Sequence, residues 1–159
     1  MLFRSVQLEG GAGRIDPGQM RTLLDREHAE RFDCPAGLRS FTESTEKLRQ
    51  DVVALVADLR TQGRTIAGYG ASVGVTSLLY YFDLGESLPF LVDDNPVRHG
   101  RFTPGHHIPV LPSDALYEKK PDDVLLLAWR YAEPIMKRHE KFHAGGGRFI
   151  LPLPEISIA

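Results

Sequence analysis

Arg64–Leu79, RTIAGYGASVGVTSLL, sets the architecture: a short apolar strand, a glycine-rich turn, and the opening of a helix. Thr65, Ile66 and Ala67 run into Gly68, Gly70 and Gly74, the sequence form of a strand–turn–helix nucleotide cradle. Gly68 is expected to turn the chain at positive φ, Gly70 to clear space for a phosphate, and Gly74 to let the helix lie close on a sheet. A helix starting here aims unpaired N–H groups and the positive end of its dipole at the turn, which suits a phosphate. The Gly-x-Gly-x-x-x-Gly spacing is looser than Gly-x-Gly-x-x-Gly, and glycines also end strands wherever a chain reverses. Leu88–Asn95, LPFLVDDN, adds a second apolar strand ending in Asp93 and Asp94, close to the ~20-residue offset of a ribose-binding acid.

A chain of 159 residues suits one domain, and 42% hydrophobic with 25% charged residues reads as an ordinary globular protein. The net charge of −2, with both signs interspersed, offers no basic stripe for nucleic acid. The single Cys34 cannot form an internal disulfide or build a zinc site, so a reducing, cytoplasmic setting is expected. MLFRSVQLEGG lacks the apolar core of an export signal, and no run of about 18 apolar residues exists to span a membrane.

Upstream of the glycine turn, Leu2–Leu8 alternates weakly as a possible strand. Asp16-Pro17 reads as a helix cap and first turn, with Met20, Leu23, Leu24 and His28 on one face and Cys34-Pro35-Ala36-Gly37 as the break. A longer helix carries Phe41, Leu48, Val52, Leu55, Val56 and Leu59, capped by Thr42, Ser44 or Thr45 and closed at Gln62-Gly63. Downstream, Asp93–Gly105 looks too rich in Pro and Gly for regular structure, and Ile108–Leu111 makes a short strand. Ser113 caps a brief helix that ends at Lys119-Lys120 before Pro121. Asp123–Trp129, DVLLLAW, is apolar without alternation and is expected to be the central strand, covered on both faces, with Arg130 at its ligand-binding end. Tyr131–His143 reads as one helix, and Phe149–Leu151 as the final strand. Strands alternating with helices from Thr65 predict a Rossmann-like three-layer αβα fold with a mostly parallel sheet of about five strands, preceded by a helical arm. The boundary is placed between an arm over residues 1–40 and the Rossmann-like domain over 41–159.

HEKFH, at His139–His143, matches the His-Glu-x-x-His pattern of zinc peptidases, but no third ligand stands in a recognisable position and the pair precedes three glycines, where cations meet exposed helix carbonyls. His99, His106 and His107 lack a local acid or thiol that would fix a metal geometry. No metal site and no Gly-x-Ser-x-Gly nucleophile is expected. Tyr69 either packs beneath the cradle or faces a substrate, and Tyr80 and Tyr81 fill core or interface.

GYGASVGVTSLLYYFDLG (68–85), FLVDDNPVRHGRFTPGHHIPVL (90–111), LLLAWRYAEPI (125–135) and GGRFILPLPEI (146–156) together resemble the C-terminal domain of S-adenosylmethionine-dependent C-methyltransferases acting on nucleotide-linked deoxysugars. The resemblance covers most of the chain. It implies that a zinc-binding region and a domain binding S-adenosylmethionine and carrying the catalytic base lie outside these residues, to be met in cis or in trans. It implies no catalytic residue and no cofactor bound here. It also implies a nucleotide-sugar, a dTDP-sugar in the first instance, between this domain and the methyl-donor domain. The ligand-contact candidates are Gly68, Gly70, Ala71, Ser72, Asp94, Asn95, His106 and, from its strand end, Arg130. A lysine common in the resembled family aligns with Gly74, leaving phosphate binding here to backbone amides with Arg98 or Arg130. Two other classes compete: an NAD(P)-binding oxidoreductase or sensor domain, in which Asp94 would hold an adenosine ribose, and a non-catalytic interaction module.

Overall fold

The structure is a computed structural model and describes residues 17–32 and 34–159. The expected Leu2–Leu8 strand and the Asp16 cap lie outside the described residues. Contacts divide the chain into two compact units, one up to Ser44 and one from Thr45.

In the first unit, α1 (Pro17–Ala29) is followed by a turn and by the opening of α2 (Pro35–Thr61). Pro35 therefore starts a helix instead of ending one, because its fixed φ and missing N–H suit a first helical position. Thr42 and Ser44, expected as caps, sit within α2 and donate back to the carbonyls of Leu38 (2.9 Å) and Ser40 (2.7 Å). Phe32 and Phe41 meet edge to face, with centroids 5.9 Å apart.

The second unit begins within α2, whose end is closed as read from sequence. Gly63, at φ +77°, donates to the Arg60 carbonyl and Arg64 donates to that of Leu59, the paired bonds of a Schellman cap. There follow β1 (Ile66–Tyr69), α3 (Val73–Tyr81), β2 (Leu91–Asp93), β3 (Arg101–Phe102), β4 (Pro109–Pro112), α4 (Ala115–Lys119), β5 (Asp123–Leu126), α5 (Ala132–Arg138), α6 (Glu140–Ala144), β6 (Arg148–Leu151) and β7 (Ser157–Ile158). The sheet has seven strands in the order β3-β4-β2-β1-β5-β6-β7. The five inner strands are parallel, while β3 and β7 pair antiparallel at the edges.

The Rossmann-like αβα expectation holds. The central strand is β1, and β5 is its neighbour. Both are buried on both faces, so an unbroken apolar run could not tell one from the other. Alternate residues divide between two cores. Ile66, Leu91, Leu125 and Ile150 meet Val52, Val56 and Leu59 of α2 and Val75 and Leu79 of α3. On the other face Tyr69, Val92, Val124, Leu126 and Phe149 meet Leu116 of α4, Ile135 of α5 and Phe142 of α6.

Three segments differ from their sequence reading. The Asp93–Gly105 stretch contains a 3-10 turn (Pro96–Arg98) and the edge strand β3. The expected Tyr131–His143 helix breaks at His139, whose backbone lies at φ −107° and ψ 30°. Phe149–Leu151 is followed by β7, a two-residue strand too short to carry a periodic signal. Among the described residues no helix is long and apolar enough to cross a membrane.

Candidate functional site

Chain order reverses between β1 and β5: β2 and β4 lie on one side, β6 on the other. In open α/β sheets, ligands occupy the carboxyl edge at this reversal. The segments leaving that edge are Gly70–Ser72 after β1, Asp94–Arg98 after β2, Ser113-Asp114 after β4 and Ala128–Tyr131 after β5.

The glycines do different work from that expected. Gly68 lies inside β1 and is fully covered; a Cβ there would stand 2.4 Å from Leu91 and 3.1 Å from Leu127. The positive φ belongs to Gly70, at +105°, and a Cβ there would come within 2.8 Å of the Ala128 methyl. Gly70 is thus required by the approach of the β5 exit, even without a ligand, and a valine there would deform the unliganded protein. Gly74 does not touch the sheet. It is exposed in the first turn of α3, and a Cβ would meet nothing closer than the Ser72 hydroxyl at 4.0 Å.

Both acids after β2 are committed to protein partners. Asp93 accepts from the Ala71 amide at 2.6 Å, from the Asn95 amide at 2.8 Å and from Arg98 at 2.9 Å. Asp94 accepts from the Tyr69 hydroxyl at 2.8 Å and pairs with Arg138. The residue at the start of α4 is Asp114 and not the expected Ser113, and it makes no side-chain capping bond. Burial pushes the Asp94 carboxyl up, but Tyr69 and the Arg138 charge together hold it below its usual range. The Asn95 side chain accepts from the Val97 amide at 3.1 Å and caps the 3-10 turn.

Ala71 and Ser72 line a small cleft with Val75, Thr76, Arg98 and Arg101, of about 120 Å³. Ser72 makes no side-chain capping bond to α3, and Val73 is 90% exposed. Arg130 stands at the exit of β5, its guanidinium 5.1 Å from the Trp129 ring centroid.

His106 is not brought to this edge. It precedes β4, and so lies at the amino edge of the sheet, tilted against Tyr80 with centroids 4.3 Å apart. There it lines a separate cavity of about 490 Å³ with Arg60, Asp83 and Glu86. Tyr69 packs beneath the turn, 2% exposed. Tyr80 and Tyr81 are 56% and 41% exposed. His139 and His143 do not share a helical face: His139 bonds Tyr69 and Tyr117, while His143 bonds the Gly147 carbonyl. Among the described residues no cluster of three or more His, Cys, Asp or Glu could hold a metal ion.

Sequence reasoning missed Arg138 as a member of this edge. Arg138 is the last residue of α5, and its pairing with Asp94 after β2 is a long-range contact that no local pattern marks.

The fold defines a Rossmann-like αβα domain, with a small cleft between the start of α3 and the β3–β4 side of the sheet. Residues 6–154 match the C-methyltransferase C-terminal domain family. The chain is 37% identical over 134 residues to the C-methyltransferase NovU of Streptomyces niveus, an alignment covering 84% of this chain and 32% of that protein. The chain belongs to the C-methyltransferase C-terminal domain family, and it spans about a third of the length of the curated relative it matches.

Proposed function

We propose that this chain is the nucleotide-sugar-binding domain of an S-adenosylmethionine-dependent C-methyltransferase, with a dTDP-linked deoxysugar as ligand. The methyl-donor domain is a further part or partner, and the setting is cytoplasmic. The observation that carries this reading is the carboxyl edge. The exposed first turn of α3 follows Ser72 with Arg98 lining the cleft there, while Arg130 follows β5 and Arg138 pairs with Asp94, so the carboxyl edge carries amide dipoles and cations suited to a diphosphate. Ser72, Asp94, Asn95 and Arg130 form the contacting set, with Gly68, Gly70 and Ala71 shaping the floor.

The cleft beside Ser72, at about 120 Å³, is smaller than the roughly 300–1,000 Å³ of enclosed ligand sites, which fits a ligand covered by a second wall. Val73, Val97 and Tyr131, 90%, 68% and 67% exposed at the carboxyl edge, give that wall an apolar seat.

In the complete reaction a base removes a proton from the sugar carbon beside a ketone. That carbon then takes the methyl group as the methyl–sulfur bond breaks. S-adenosylmethionine supplies the electrophilic methyl, and this domain's share is to position the sugar and exclude water. The competing NAD(P) reading would place an adenosine ribose on the same Asp94, and nucleotide preference separates the two readings.

Thermal unfolding with dTDP, UDP, NADH and S-adenosylmethionine tests the proposal. A ligand at about 100 times its dissociation constant adds about 2.7 kcal/mol, a rise in Tm of roughly 5–10 °C for a chain of this size. A rise with dTDP supports the reading; a rise with NADH alone overturns it.

A further inference from the structure

A relay of side chains crosses the core face that carries α4 and α5. The Tyr117 hydroxyl stands 2.9 Å from His139 Nδ1, and His139 Nε2 stands 3.0 Å from the Tyr69 hydroxyl. Tyr69 donates to Asp94 Oδ1 at 2.8 Å, and Arg138 bonds Asp94 Oδ2. The members come from α4, the α5–α6 break, β1, the segment after β2 and the end of α5. His139 and Tyr69 are 4% and 2% exposed. Apolar side chains would fill such a site without the penalty of burying polar groups, so the relay serves something besides folding.

Its direction is fixed by chemistry. An ionised carboxylate only accepts, so the Tyr69 O–H donates to Asp94. The Tyr69 oxygen then accepts from His139 Nε2–H, which leaves Nδ1 to accept from Tyr117. One neutral tautomer satisfies every bond. Burial holds the ring below its usual range; Arg138 adds to this, and Asp94 and Asp114 oppose it.

We propose that His139 is a positioning residue: as the neutral Nε2–H tautomer it sets the Tyr69 hydroxyl on Asp94, and so fixes the Asp94–Arg138 pair at the carboxyl edge for a ligand's hydroxyl or phosphate. The use at the ligand rests on the nucleotide-sugar reading, whereas the relay itself does not. Protonation of Nδ1 removes Tyr117's acceptor and sets a second positive charge near Arg138. The charged and titratable groups facing the ring are Tyr69 from β1, Asp94 after β2, Asp114 and Tyr117 from the start of α4, and Arg138 from α5.

The test uses the 159-residue chain with two readouts. Long-range 1H–15N spectra should show His139 as the Nε2–H tautomer, still neutral at the pH where an exposed histidine is half protonated. An Nδ1–H tautomer, or ordinary titration, overturns the proposal. In dTDP titrations His139→Gln, whose amide nitrogen replaces Nε2, should keep affinity within about 3-fold, while His139→Phe loses about 10-fold. The 13C titration midpoint of Asp94 should rise in the Phe variant and not in the Gln variant. Equal behaviour of the two overturns the proposal. If the wild-type chain binds no dTDP, the functional reading falls, while tautomer and Asp94 titration still decide the relay. Should His139→Phe fail to fold, Tyr69→Phe removes the hydroxyl alone and should raise the same midpoint; an unmoved midpoint overturns the proposal.

Discussion

Asp123, with no exposed side-chain surface, pairs with Arg64 at 2.6 Å and with Arg148 at 2.7 Å, joining the entries to β1 and β6 through the start of β5. Removing the carboxylate leaves two cations facing each other beside a desolvated site. Asp123→Ala is therefore expected to cost about 3–5 kcal/mol, read as a lower urea midpoint at unchanged slope. Loss of under about 1 kcal/mol would show the triad to be loosely solvated. His139 gives a pH dependence with a definite sign. Its folded-state value lies below the ordinary 6.5, so the unfolded chain binds the proton first and stability is lost as pH falls below about that value. His139→Gln should flatten the stability curve between about pH 7 and pH 5, measured by urea unfolding. None of this was legible from HEKFH, because sequence spacing assumes one continuous helix and the chain breaks at its first histidine.

At the level of elements, α3 offers a direct separation of folding from binding. Gly74 sits in its first turn with open space around it, so substitutions there leave the core untouched. Gly74→Asp complements the helix dipole and should leave stability equal or raise it by about 0.3–1 kcal/mol, yet weaken dTDP binding by repelling phosphate. Gly74→Lys, which adds a cation at the start of α3, should strengthen binding with stability equal or slightly lower. Calorimetric titration beside urea unfolding reads both, and changes of the same sign in stability and affinity would remove α3 from the phosphate site. The strand–turn–helix unit around Tyr69 and the parallel αβα sheet were readable because short apolar runs alternating with helical stretches leave few alternatives. The swap of duties among Gly68, Gly70 and Gly74 was not, since a sequence shows that a Cβ is missing and not what would have met it. Leu91 and Ala128 answer that for Gly68 and Gly70.

At the scale of the molecule, the proposed ligand site occupies the carboxyl edge, and an ion-pair triad occupies the amino edge. Arg64, Asp123 and Arg148 tie the amino edge together, and His106 belongs there too, drawn away from the other candidates by the β3–β4 turn that no local pattern announces. What remains at the carboxyl edge is an open cleft flanked by arginines and exposed apolar residues. The most direct measurement is a 1H–15N correlation titration of the chain with dTDP. The account predicts saturable shifts at Ser72–Gly74, Asp94-Asn95, Ala128–Tyr131 and Arg138. Shifts centred on Arg60, Asp83–Ser87 and His106, or a spectrum unchanged at millimolar dTDP, would contradict it.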